Sequence, residues 1–171
     1  AHHSAMRFAG PIRQEIGIRT LMNVLGPMTN PAGAEHQVIG VFAPNWLHKM
    51  AEVLKILGTR RAMILHSEGL DEIRLDAPTQ VIELKDGVIE EYILAPKTLG
   101  IRDHSPAEIA ALAATSTESS LDLVLRSLGD DQSAAADIVA LNAGAAIYVS
   151  GVATNLSNGV EMAQDAIASG L

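Results

Sequence analysis

Cysteine is absent from the 171 residues, which excludes disulfides and thiolate metal sites and fits a reducing compartment. Aromatic residues are nearly absent too. With one Trp, two Tyr and two Phe, a core has to be built from Ala, Leu, Ile, Val and Met. Basic residues are scarce: 12 Lys and Arg stand against 20 Asp and Glu, for a net charge of -8 and a pI near 5.1. No basic run offsets that balance, which argues against a nucleic-acid surface, since phosphates call for clustered Lys and Arg. A long unbroken apolar run is also missing. The most apolar stretch, Ala134 to Ala153, is interrupted by Asp137, Asn142 and Ser150, and reads as a buried helix rather than a membrane span. The opening Ala1-His2-His3 has no charged region followed by an apolar one, so no signal peptide is expected. With no initiator Met, His2-His3 fits a tag remnant or the tail of a longer protein.

What is present describes a folded chain. An apolar content of 48% and a mean hydropathy of +0.21 exclude disorder, and 171 residues suffice for one domain with a real core. Met6 to about Gly17 reads as a helix that Pro11 kinks or splits. A short helix over Thr20 to Leu25 is stopped by Gly26-Pro27, and Met28 to Gly33 is a turn-rich loop. Gln37 to Phe42 and Ala62 to His66 are short apolar runs with the look of buried strands. Between them, Pro44-Asn45 opens a helix with Leu47, Met50, Ala51, Leu54 and Leu57 at helical spacing, stopped by Gly58. Strand, helix and strand in about thirty residues predict two parallel strands with a right-handed crossover. Asp86-Gly87 between two alternating segments, Val81 to Leu84 and Val88 to Ile93, is a hairpin signal. The rest is helical: Ser105-Pro106-Ala107-Glu108 is a capping box with Pro at the first position. Further helices are expected over about Ser119 to Leu128, Asp131 to Val149 and Ser157 to Ser169.

Three places carry possible chemistry. Ser67-Glu68-Gly69-Leu70-Asp71-Glu72 follows a strand, and ligands bind at the carboxyl ends of strands in open parallel sheets. Adjacent carboxylates there suit Mg²⁺, a hard ion that keeps several waters and bridges to phosphates. A solvated acidic loop explains the same residues. His3 and Arg13 are ten residues apart, nearly three helical turns, and a guanidinium on that side suits a carboxylate. A surface Arg beside a tag remnant is the plainer account. Asn23-Val24-Leu25-Gly26-Pro27-Met28-Thr29-Asn30-Pro31 joins a permissive glycine to stiffening prolines, as either a binding loop or a helix stop.

Taken together these segments resemble the anthranilate phosphoribosyltransferases. The resemblance rests on His2-His3-Ser4-Ala5-Met6-Arg7, on Pro11 to Thr20 and on Asn23 to Ala32. Gly69-Leu70-Asp71-Glu72, Leu141-Asn142-Ala143 and the last helix add to it. It turns His2-His3 from tag into native sequence. It implies an α/β fold: residues 31–171 form part of a mainly parallel sheet flanked by helices, and residues 1–30 are a short helical segment of a separate α-helical domain. It also implies transfer of phosphoribose from phosphoribosyl pyrophosphate (PRPP) to the amine of anthranilate, with Mg²⁺, in tryptophan biosynthesis. A cytoplasmic homodimer is implied for the full-length enzyme. By the same resemblance His3, Arg13 and Gly26 line the anthranilate path, Arg13 meeting the carboxylate, while Asp71 and Glu72 hold Mg²⁺ on the pyrophosphate. No general base is assigned. The family's glycine-rich donor loop, its Lys-His-Gly-Asn segment and a metal-binding Ser/Glu region are not found in these residues, so the chain alone is expected to be inactive. Pyrimidine nucleoside phosphorylases share the broad architecture, but not the Arg13 and Asn23-to-Pro31 pattern. A nucleic-acid-binding relative would need a basic surface, and a truncation product could dimerise through an exposed sheet edge.

Overall fold

The computed structural model describes residues 6–18, 22–129 and 133–170; for Met6, Arg7, Ala9, Arg13 and Met22 it describes the main chain alone. The chain divides into two compact units, Ala1–Ala34 and Glu35–Leu171. The first holds α1 (Met6–Ile16) and α2 (Met22–Met28). Pro11 lies inside α1, which runs as one helix, and Gly17 ends it at φ +63°. The second helix does not stop at Gly26-Pro27 as its sequence predicts. Pro27 forfeits one backbone bond, but Thr29 returns both its amide and its hydroxyl to the Leu25 carbonyl, so the turn closes around the proline. On α1, Phe8, Ile12 and Ile16 are four residues apart and all exposed.

The second unit is a four-stranded sheet, ordered β1 (His36–Gly40), β2 (Arg61–His66), β3 (Thr79–Lys85) and β4 (Val88–Leu94). The strands β1 and β2 are parallel, as expected when α3 (Leu47–Ile56) supplies the crossover. A three-residue turn of 3-10 helix, Pro44–Trp46, leads into α3. Four of its five expected core positions are buried; Leu57 lies past the helix end and is 57% exposed.

The expected parallel character is realised only in that pair. Both β2–β3 and β3–β4 are antiparallel. The reason lies in the connections: residues 67–78 contain no crossover helix, so β3 returns alongside β2. The hairpin then folds back at Asp86-Gly87, with φ of 48° and 82° as a two-residue turn demands and Lys85 opposite Val88.

Burial follows strand parity. Met63, Leu65 and Val81 join a core cluster with Leu141, Ala145 and Val149 of α6 (Ala134–Ser150) and Val160 of α7 (Leu156–Ser169). The alternate residues Ile64, Ile82 and Leu84 face the other way, toward α3, and are fully buried. Both faces of the two central strands are therefore covered, which is why β2 reads as a continuous apolar run. The two long helices leave no room for a side chain where Gly144 meets Val160 and Gly159 meets Gly144. Short α4 (Pro106–Ala110) carries the predicted capping box. The helix α5 (Thr117–Ser127) starts two residues before its predicted Ser119, because Ser116 caps it and Ser119 closes the box. Ser133 caps α6; Asp131, its expected first residue, lies outside the described residues. Among the described residues, no helix is long and apolar enough to cross a membrane.

Candidate functional site

The parallel strands β1 and β2 end side by side at Gly40 and Leu65, and the chain beyond β2 folds over their ends. Ser67 and Leu70 exchange two backbone hydrogen bonds of 2.9 Å, closing a tight turn with Glu68 at φ +43° and Gly69 at φ +88°. His66 braces this turn. Its Nδ1 donates to the Val41 carbonyl at 2.7 Å and its Nε2 accepts the Gly69 N–H at 3.3 Å, a pair of bonds that only the neutral imidazole with its proton on Nδ1 can make. The ring is buried. Fully buried Ser67 donates its hydroxyl to the Pro78 carbonyl, tying the start of the loop to its end.

Asp71 and Glu72 follow this turn and are both exposed. Two contacts hold them there. The carbonyl of Asp71 rests against the Cα of Gly40, where any side chain would overlap it. Ile73, with no exposed surface, anchors the loop in the core, and its backbone is gripped by Asn142 of α6. The Asn142 Oδ1 accepts the Ile73 N–H at 3.0 Å, and its Nδ2 donates to the Ile73 carbonyl at 3.1 Å and to the Ile138 carbonyl at 3.0 Å. Val38, Gly40, Leu65, Asn142 and the two acidic residues border a cavity of about 380 Å³.

The loop's positive charge is already committed. Arg74 makes two bonds to Asp76, of 2.8 and 2.6 Å. That hydrogen bonding holds the guanidinium above its ordinary pKa and the Asp76 carboxyl below its own. Among the described residues, Asp71 and Glu72 make no ion pair. No set of three or more His, Asp or Glu placed to hold a metal occurs among the described residues either. Two exposed carboxylates are too few for an all-protein cage. They suit a hard divalent cation that keeps most of its waters and takes its remaining oxygens from a phosphate.

The other residues singled out by sequence belong to the first unit. His3 lies outside the described residues, and so does the side chain of Arg13, whose backbone is in α1. Gly26 is exposed on α2. Within that unit, Gly10, Gln14, Ile18 and Asn23 border a groove of about 340 Å³. Sequence reasoning did not find the grip of Asn142 or the brace of His66. A polar residue breaking the apolar stretch of α6 was the available signal for the first, and an isolated glycine at a strand end for the close approach at Gly40.

A family model described as "Glycosyl transferase family, a/b domain" matches residues 1–171. The anthranilate phosphoribosyltransferase of Stutzerimonas stutzeri (strain A1501) is 49% identical over 176 residues, covering 100% of this chain and 50% of its own length. The crystal structure of the Thermus thermophilus enzyme of that name superimposes with a TM-score of 0.86 at 41% identity, over 98% of this chain and 49% of the other. A Saccharomyces cerevisiae anthranilate phosphoribosyltransferase in complex with PRPP and Mg shares the fold, with a TM-score of 0.81 at 24% identity, over 98% of this chain and 48% of that one. The chain thus spans about half the length of the relatives it matches.

Proposed function

Since the chain belongs to the glycosyl transferase family whose α/β-domain model it matches from residue 1 to 171, we propose that it serves as the C-terminal half of an anthranilate phosphoribosyltransferase and supplies the cation-holding wall of the donor site. The observation that carries this reading is the Asp71-Glu72 pair: exposed, outside any ion pair among the described residues, and pinned at the carboxyl ends of two parallel strands. His3, Arg13 and Gly26 belong to the same proposal as the anthranilate-side residues, with residues 1–30 as part of the helical domain and 31–171 as part of the α/β domain. A cytoplasmic homodimer acting in tryptophan biosynthesis completes it.

In this reaction the anthranilate nitrogen forms a bond to the anomeric carbon of the donor. The bond from that carbon to pyrophosphate breaks, the leaving group keeps the electron pair, and the surplus proton on nitrogen passes to water. A bound Mg²⁺ neutralises charge on the departing pyrophosphate. Asp71 and Glu72 would hold the cation, and the loop's fixed backbone means the carboxylates need little reordering when the donor arrives. A guanidinium at Arg13 offers two parallel donors to the anthranilate carboxylate.

These 171 residues contain no counterpart of the family's glycine-rich donor loop, so no transfer by the chain alone is expected. The loss of anthranilate fluorescence with PRPP and Mg²⁺ measures this, and turnover above the protein-free rate overturns it. The metal assignment is checked separately with Mn²⁺ as a paramagnetic probe. Broadening of amide resonances confined to residues 68–74, abolished in the Asp71→Asn, Glu72→Gln double variant, supports it. Identical broadening in the two proteins refutes it.

A further inference from the structure

We infer that Asn142 is the positioning residue of the acidic loop: it sets Asp71 and Glu72 in cation-binding geometry without touching the cation. The inference rests on the proposed role of those carboxylates and adds the residue through which α6 controls them. Three observations carry it.

The first is the form of the contact. Asn142 bonds both the N–H and the carbonyl of Ile73, so one side chain completes the backbone of a residue that belongs to no strand. One bond would hold only one of the two peptides that flank Ile73, whereas the pair holds the peptide before its Cα and the peptide after it. Glu72 is joined to Ile73 by the peptide whose N–H is gripped, and Asp71 lies one residue further back. The second observation is the direction of the side chain. Its third bond, to the Ile138 carbonyl one helical turn earlier, holds the amide against its own helix. Three of the four hydrogen bonds available to an Asn side chain are thus made, and both ends of the amide have their partners assigned. The third is the opposite support at Gly40, which leaves no space for the Asp71 carbonyl to move toward β1. The loop is trapped between a backbone stop on one side and a polar clamp on the other, and Asn142 and Gly40 border the same cavity as the carboxylates.

A residue that served only to fasten helix to loop would alter stability and leave cation binding in proportion to the folded fraction. A positioning residue alters binding in protein that is fully folded. The experiment therefore uses the 171-residue chain with Mn²⁺ alone, read by the broadening of amide resonances 68–74 in four proteins: wild type, Asn142→Ala, Asn142→Ser and Asn155→Ala. The last removes the cap of α7 and weakens the fold elsewhere. Asn142→Ala is expected to keep the amide spectrum of the sheet and helices while the Mn²⁺ needed for half-maximal broadening rises at least about fivefold. Asn142→Ser is too short to make the two bonds to Ile73, although its hydroxyl reaches the Ile138 carbonyl on its own helix, and it behaves in the same way, which keeps the test open if the alanine variant does not fold. Asn155→Ala is expected to match wild type. Folded Asn142 variants with wild-type Mn²⁺ dependence overturn the inference, as does an equal rise in Asn155→Ala. Failure of the Asp71→Asn, Glu72→Gln control is a different result: it removes the cation site itself, and the role of Asn142 with it.

Discussion

Gly40 has a negative φ and no turn to make, yet no other residue fits there. A Cβ at this position overlaps the Asp71 carbonyl and stands 2.8 Å from the Asp71 Cβ. Both neighbours belong to a loop that His66, Asn142 and Ile73 hold in place, so the collision has no easy relief. Gly40→Ala is expected to cost at least about 1–3 kcal/mol, the usual penalty for forcing a methyl into packed structure. Urea unfolding measures it, and a loss below about 0.5 kcal/mol would show that the loop yields freely. The sequence displayed Gly40 as an unexplained glycine in a strand. What makes it necessary is a carbonyl far along the chain, which local pattern does not reveal.

At the scale of elements, helix ends are the most legible features and the easiest to test. In the capping box of α4, Glu108 accepts from the backbone N–H of Ser105 at 2.8 Å, from Arg102 at 2.8 Å and from the Ser105 hydroxyl at 2.9 Å. The Ser105 backbone bond is the largest cause holding its carboxyl down at about 2. Because the folded value lies below the unfolded one of about 4.3, this contribution is complete above that pH and is lost as pH falls from there toward 2. In Glu108→Gln, stability against acid is expected to fall less steeply across that window than in wild type. Parallel slopes in acid titrations of the two proteins would contradict this. The packing of α6 on α7 makes a second demand. A methyl on Gly144 meets the Val160 backbone at 2.6 Å, so Gly144→Ala is expected to destabilise by about 1–3 kcal/mol although alanine favours helix. A rise in the thermal midpoint of that variant would mean that propensity outweighs packing.

Within the second unit, one network joins three strands to a helix. Glu83 of β3 is buried and accepts hydrogen bonds from Tyr92 of β4 at 3.0 Å and from Tyr148 of α6 at 2.7 Å, while Arg61 of β2 lies 4.8 Å over the Tyr148 ring. Burial first, and then the charge of Glu83, push the Tyr92 phenol well above its ordinary value, and burial raises Tyr148 likewise. A phenol raised in the folded state contributes stability below about pH 10 that is lost as the pH climbs past it. Unfolding free energies between about pH 9 and 11.5 are expected to fall more steeply in wild type than in Tyr92→Phe; equal slopes would remove the network from the account of alkaline stability.

What the sequence determined by itself is whatever depends on neighbours a few residues away. The apolar spacing of α3, the turn at Asp86-Gly87, the capping box at Ser105 and the Asp71-Glu72 pair after β2 were all readable there. The tertiary structure decided what depends on partners chosen across the chain. Val81 to Leu84 alternates like a half-exposed strand, but it occupies the sheet interior, where even Glu83 is buried, because the free edge of β2 accepted it antiparallel and two helix layers closed over it. Leu57 has helical spacing and stays in solvent because α3 ends before reaching it. The acidic loop became a defined site only when α6 brought Asn142 to the backbone of Ile73. Hydrogen-bonding capacity is visible in a side chain's chemistry; which group will use it is settled by packing.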